Sequence, residues 1–106
     1  MPDREGRQQP WKVHASGAIV NELRRLQRQA AREGRGRQML AALRYIYQQL
    51  QNDPIIVGEP LYRLPAMRMQ VRTVVVRPLA LDFAICEDQP LVFIKVTTLL
   101  AKQGSK

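Results

Sequence analysis

Between Met67 and Arg77 the chain reads MRMQVRTVVVR, and three polar side chains, Arg68, Gln70 and Arg72, recur at every second position. On a β-strand that period sets them on one face and Met67, Met69 and Val71 on the other. An arginine fork grips phosphate or carboxylate oxygens through two parallel hydrogen bonds. Arg68 and Arg72, with Arg77 at the end of the strand, therefore read as a clamp for a polyanion. Lys95 joins them, because a charge inside the apolar stretch Leu91–Leu99 should face solvent. A second row, Arg24, Arg28 and Arg32, stands at i, i+4 and i+8, in line on one face of a helix, with Arg25 beside it and Arg35 and Arg37 following. That row reads either as a solvated helix face or as a docking stripe for RNA, DNA or an acidic protein.

Groups able to move a proton at neutral pH are few. His14 is the one histidine and lies far in sequence from the arginine-bearing strand. A lone histidine reads first as structural. Cys86 stands beside a turn with no nearby base and reads as inert. One cysteine cannot close an internal disulfide, and Cys86 with His14 falls short of the three or four ligands of a zinc site. No metal and no cofactor is expected. A reducing, cytoplasmic setting fits this cysteine usage.

The charge balance is lopsided: 17 Lys and Arg against 9 Asp and Glu, a net charge of +8. The resulting positive potential attracts nucleic acid, acidic proteins or anionic surfaces. No run of about 18 apolar residues is present, so no membrane span and no membrane partner is expected. At 106 residues the chain has material for one core of two layers. Residues 1–10 and 102–106 are polar and read as tails around a single domain at 11–101.

Several elements must position these residues. Trp11–His14 alternates like a short strand, and Ser16 is suited to cap a helix over Ala18–Glu33. Ile19, Leu23, Leu26 and Ala30 form its apolar stripe. Gly34 suits the left-handed position after the helix. A second helix over Arg37–Gln51 carries Met39, Leu43, Ile46 and Leu50, widened by Leu40 and Tyr47, and stops at Asn52-Asp53-Pro54. Strands are expected at Pro60–Leu64, Met67–Arg77, Leu79–Cys86 and Leu91–Leu99, the last two joined by the turn Glu87–Pro90. The expected fold is α+β in two layers. An antiparallel helical hairpin covers one side of a mostly antiparallel sheet of three or four strands, and the arginines of the Met67 strand point out of the other side.

The order β-α-α-β-β-β, at this length and charge, resembles the RelE/ParE superfamily of toxins from toxin–antitoxin, or plasmid-stabilisation, systems. GEPLYRLPAMRMQVR is similar to that family's passage into its second and third strands, and LALDFAICEDQPLVFIKV to its closing hairpin. The resemblance covers roughly residues 11–101. It implies one of two activities. RelE-like members bind RNA and cut messenger RNA on the ribosome, without a metal; ParE-like members inhibit DNA gyrase without hydrolysis. Both are held by a cognate acidic antitoxin with a partly disordered tail.

Such RNA cleavage needs a proton acceptor, cations for the phosphate oxygens and a group for the leaving oxygen. The family resemblance implies an alternating basic pair on one strand, an arginine on the next and an arginine, tyrosine or histidine near the C-terminus. Arg68, Arg72 and Arg77 are the candidates for contact with the reacting phosphate. Ala80 stands where the next-strand arginine is expected, and Thr97–Lys102 holds no Tyr, His or Arg, with Lys102 the nearest substitute. Arginine stays protonated and is a poor base. The residues therefore leave three readings open: an endoribonuclease, a ParE-like inhibitor, and an inactive nucleic-acid-binding member. Tyr62, just before the basic strand, could stack on a base.

Overall fold

The computed structural model describes residues 10–102; of the two expected tails, residues 1–9 and 103–106 lie outside the described residues. Strand β1 (Lys12–His14) leads into helix α1 (Gly17–Arg32) and helix α2 (Gly36–Asn52). Four strands follow: β2 (Glu59–Leu64), β3 (Met69–Val76), β4 (Leu79–Cys86) and β5 (Leu91–Leu99). The fold is α+β, two helices on one five-stranded sheet in the order β1-β5-β4-β3-β2. β1 runs parallel to β5, and every other pair is antiparallel.

Local chemistry sets these boundaries. The Ser16 hydroxyl accepts from the Ile19 amide at 3.2 Å and caps α1. Gly34, at φ 78°, takes the left-handed turn after it. In α1, Leu26 and Ala30 are buried, with Ile19 and Leu23 packed against the same core. In α2 the buried row is Met39, Ala42, Ile46 and Leu50. Ala42 belongs to that row, Leu43 is partly buried beside it, and Leu40 and Tyr47 stay exposed. The Trp11 amide donates to the Gln51 carbonyl at 2.8 Å and ties the start of β1 to the end of α2.

The sheet has two very different faces. Leu79, Leu81, Phe83 and Ile85 of β4 point into the core under the helices. Residues directly opposite in a ladder share a face. Val74 pairs with Leu81, Arg72 with Phe83 and Gln70 with Ile85, so the even residues of β3 turn toward the helical layer. This corrects the expectation that Arg68, Gln70 and Arg72 point away from the helices. Alternation was ambiguous because Thr73–Val76 is apolar or β-branched at every position, and the strand settles in the frame that buries Val74 under the helices. Arg68 lies outside the strand, at φ 53°, and follows neither frame.

The opposite face is uncovered. Its rows are Glu59, Thr73, Asp82 and Val96, then Tyr62, Val71, Ala84 and Phe93, in register across β2, β3, β4 and β5. His14 extends the second row and its ring stacks on Phe93, with centroids 5.4 Å apart. A bulge between Asp82 and Phe83 leaves Lys95 as the extra residue of β5.

Candidate nucleic-acid interface

Arg72 is only 9% exposed. Its Nε donates to the Val57 carbonyl at 2.8 Å, its Nη2 to the Gly58 carbonyl at 3.0 Å and its Nη1 to Gln70 Oε1 at 3.2 Å. Nε and Nη2 thus hold the segment between α2 and β2 against the sheet, and Nη1 is taken up by Gln70 on the same strand. Gly58 makes that closeness possible: its φ is 66°, and a Cβ there would overlap the Thr73 carbonyl. Arg72 is therefore a buried clasp, and no phosphate can reach it as the chain stands.

The remaining members of the expected clamp are scattered. Arg68 sits before β3 and forms an exposed ion pair with Asp88 at 3.5 Å. Beside it Arg63 donates to Glu87 at 2.5 and 2.7 Å. That bidentate pair holds the Glu87 carboxyl below its ordinary range, chiefly through the Arg63 hydrogen bonds. The acidic turn Glu87-Asp88 thus balances the two arginines at this end. Arg77 lies at the opposite end of β3, roughly 30 Å away at about 3.3 Å per strand residue. Lys95 stands on the uncovered face, apart from Arg68, Arg72 and Arg77. Among the described residues the sheet's one pair of neighbouring cations, Arg63 and Arg68, is neutralised by Glu87 and Asp88.

The helical layer gathers a cationic cluster. Arg28 is two residues from both Leu26 and Ala30, about 160° around the helix from the buried side. Arg24 and Arg32 lie one turn to either side, and all three are exposed. On α2, Arg44 is two residues from both Ala42 and Ile46, and Arg37 two from Met39, so these too face outward and are exposed. Among the described residues none of these five has a carboxylate within ion-pair distance; the helical pairs are Arg25 with Glu22 and Arg35 with Glu33. The Arg25 pairing draws the Glu22 carboxyl below its ordinary range, mainly by hydrogen bonding.

The hinge between the helices is built by a sixth arginine. Arg35, its side chain 10% exposed, is held by Glu33 and donates to the Leu100 carbonyl at 2.8 Å, which pins the end of β5 to the hairpin. The Gln29 amide and then Arg35 hold the Glu33 carboxyl below its ordinary range. Lys102 donates to the Glu33 carbonyl at 3.2 Å. Arg77 and Lys102 line one open groove with Gly34 and Gln38, so Arg77 joins the helical end of the molecule and not the sheet clamp.

Of the residues singled out in the sequence, Arg24, Arg28 and Arg32 are brought together, and Arg77 lies near their end of the molecule. Arg44 was missed, although its seven-residue spacing from Arg37 places it on the same outward side. His14 is stacked on Phe93, with no carboxylate in ion-pair distance among the described residues, and Cys86 is buried, its thiol pushed up by desolvation and then by Asp88. Among the described residues no three His, Cys, Asp or Glu side chains gather into a possible metal site. Among the described residues no helix is long and apolar enough to cross a membrane. Compared with protein-family models, curated proteins and solved structures, the chain matches none.

Proposed function

We propose that this chain is a RelE/ParE-like toxin component that acts by binding and not by hydrolysis, and that it engages nucleic-acid backbone, RNA in the first instance, through the outer surface of its helical hairpin. One observation carries this reading: Arg24, Arg28, Arg32, Arg37 and Arg44 all stand outward, and no described carboxylate neutralises them. Phosphate contact by such a row is electrostatic and independent of base sequence. The order of strand, helical hairpin and antiparallel strands agrees with the resemblance. The binding branch is favoured over the nuclease because Arg72 is consumed in a structural role and Arg68 and Arg77 stand at opposite ends of β3. A cognate antitoxin with an acidic tail would compete for the same guanidinium groups.

The test is incubation of labelled RNA with purified protein, followed on native and denaturing gels. The reading requires a retarded complex whose RNA stays full length, and loss of that complex in the variant Arg24→Glu/Arg28→Glu/Arg32→Glu. Specific cuts abolished by Arg68→Ala would overturn it in favour of the nuclease. Blocked DNA supercoiling without RNA retardation would favour a gyrase-type target.

A further inference from the structure

The uncovered sheet face is too apolar to be a solvent face and too evenly charged to hold a polyanion. Tyr62 is 52% exposed, Val75 56% and Val96 48%, all on that side of the sheet. They stand on β2, β3 and β5 with Thr73 and Asp82 among them, and exposed apolar side chains spread over one sheet face mark an interaction surface. Its charged groups are Glu59, Asp82, Lys12 and Lys95, two of each sign, with His14 at one edge. An acidic partner gains no net attraction there, whereas the helical layer offers it plenty.

We propose that this face docks on the same face of a second copy of the chain, in a two-fold dimer whose axis runs along the strands between β3 and β4. The register makes the face complementary to itself. Such an axis reverses the strand order of the copy, so each β2 lies over the other copy's β5 and each β3 over the other's β4. The row Glu59, Thr73, Asp82, Val96 then meets itself end to end. Glu59 faces the position of Val96 and the bulged Lys95, and the Thr73 hydroxyl faces Asp82. In the next row Tyr62 faces Phe93 on either side of Val71 and Ala84, which are already buried within each copy. Neither Glu59 nor Lys95 has an opposite charge within ion-pair distance among the described residues, so both are free to pair across the interface. Two sheets packed face to face with strands nearly aligned are a standard arrangement, spaced about 10 Å apart.

Four strands about 4.8 Å apart, averaging about eight residues, cover roughly 19 by 26 Å, at most about 500 Å² on each copy because Val71 and Ala84 are already buried. The total of at most about 1,000 Å² lies at the lower limit of specific interfaces, which sets a weak, concentration-dependent dimer. The helical layers stay on the two outer surfaces, so the dimer is independent of nucleic-acid binding and its failure leaves the proposed function standing.

Sedimentation equilibrium across the micromolar to millimolar range tests this. The unaltered chain should shift from monomer to dimer. Glu59→Lys and Lys95→Glu should each weaken association by about a hundredfold, because symmetry makes each reversal create two like-charged contacts. The double variant Glu59→Lys/Lys95→Glu should restore it. Both residues are exposed, and circular dichroism confirms that each variant is folded. A monomer at every concentration, single reversals without effect, or a double reversal that fails to restore the dimer would each overturn the proposal.

Discussion

Replacing Arg72 separates a structural arginine from a binding one. In the native chain its guanidinium donates to the carbonyls of Val57 and Gly58 and to Gln70, at 2.8, 3.0 and 3.2 Å. A hydrogen bond from a charged donor contributes about 1.5–3 kcal/mol. Arg72→Ala loses two such bonds to backbone and the packing of the aliphatic stem, but exposed Gly58 can turn its freed carbonyl to water. The lower end therefore applies, about 3 kcal/mol in all. Arg72→Lys keeps the charge and the stem. Its single ammonium cannot span both carbonyls, so about half of that loss is expected. With a urea m-value of about 1.5 kcal/mol/M for a domain this size, the midpoint should fall by about 2 M for alanine and about 1 M for lysine. RNA affinity measured under native conditions should stay within a factor of about two. Alanine variants as stable as the parent chain but more than tenfold weaker for RNA would refute the clasp and return Arg72 to the binding surface.

Gly58→Ala should destabilise the chain by about 3 kcal/mol or more in the same urea assay, since φ is 66° and the new methyl overlaps the Thr73 carbonyl. Glu87 titrates below its ordinary value because Arg63 is paired with it, so its contribution to stability is complete above the unfolded carboxylate range of about 4.3 and is lost as pH falls through the lowered folded value. In Arg63→Ala, carbon-detected NMR should find the Glu87 titration returned upward and that part of the acid sensitivity gone. Cys86, buried with its thiol pushed up, should react with a thiol reagent at pH 8 at least tenfold more slowly in the native chain than in urea; equal rates would contradict its burial.

The two-layer architecture was legible because both helices carry clean apolar stripes and β4 alternates sharply, with Leu79, Leu81, Phe83 and Ile85 all core. The Ser16 cap and the Gly34 turn could be read for the same local reasons. The face of β3 could not. Met69 and Val71 favour one frame and Val74 and Val76 the other. The choice depends on backbone carbonyls of Val57 and Gly58 that satisfy Arg72, and a sequence pattern does not contain them. The parallel pairing of β1 with β5 is likewise a long-range fact, joining residues some eighty positions apart. At the candidate interface Arg24, Arg28 and Arg32 were visible because a helix has a fixed period. Arg44 had only its seven-residue spacing from Arg37 to mark it, since no arginine stands one turn away at positions 40, 41, 47 or 48. The ion pairs Arg63–Glu87 and Arg68–Asp88, which neutralise the other basic cluster, arise only when the β4–β5 turn folds beside β2 and β3.

The salt dependence of nucleic-acid binding tests the central claim most directly, because it counts phosphate contacts. With five helical arginines engaged, log Kobs against log salt should have a slope of about −4.5 on duplex DNA and about −3.5 on single-stranded RNA. Arg24→Ala/Arg28→Ala/Arg32→Ala should flatten these to about −1.8 and about −1.4, with the fold intact, since alanine suits a helix and three like charges are removed. A slope unchanged by that triple variant but flattened by Arg68→Ala/Lys95→Ala would place the nucleic acid on the sheet and contradict the account.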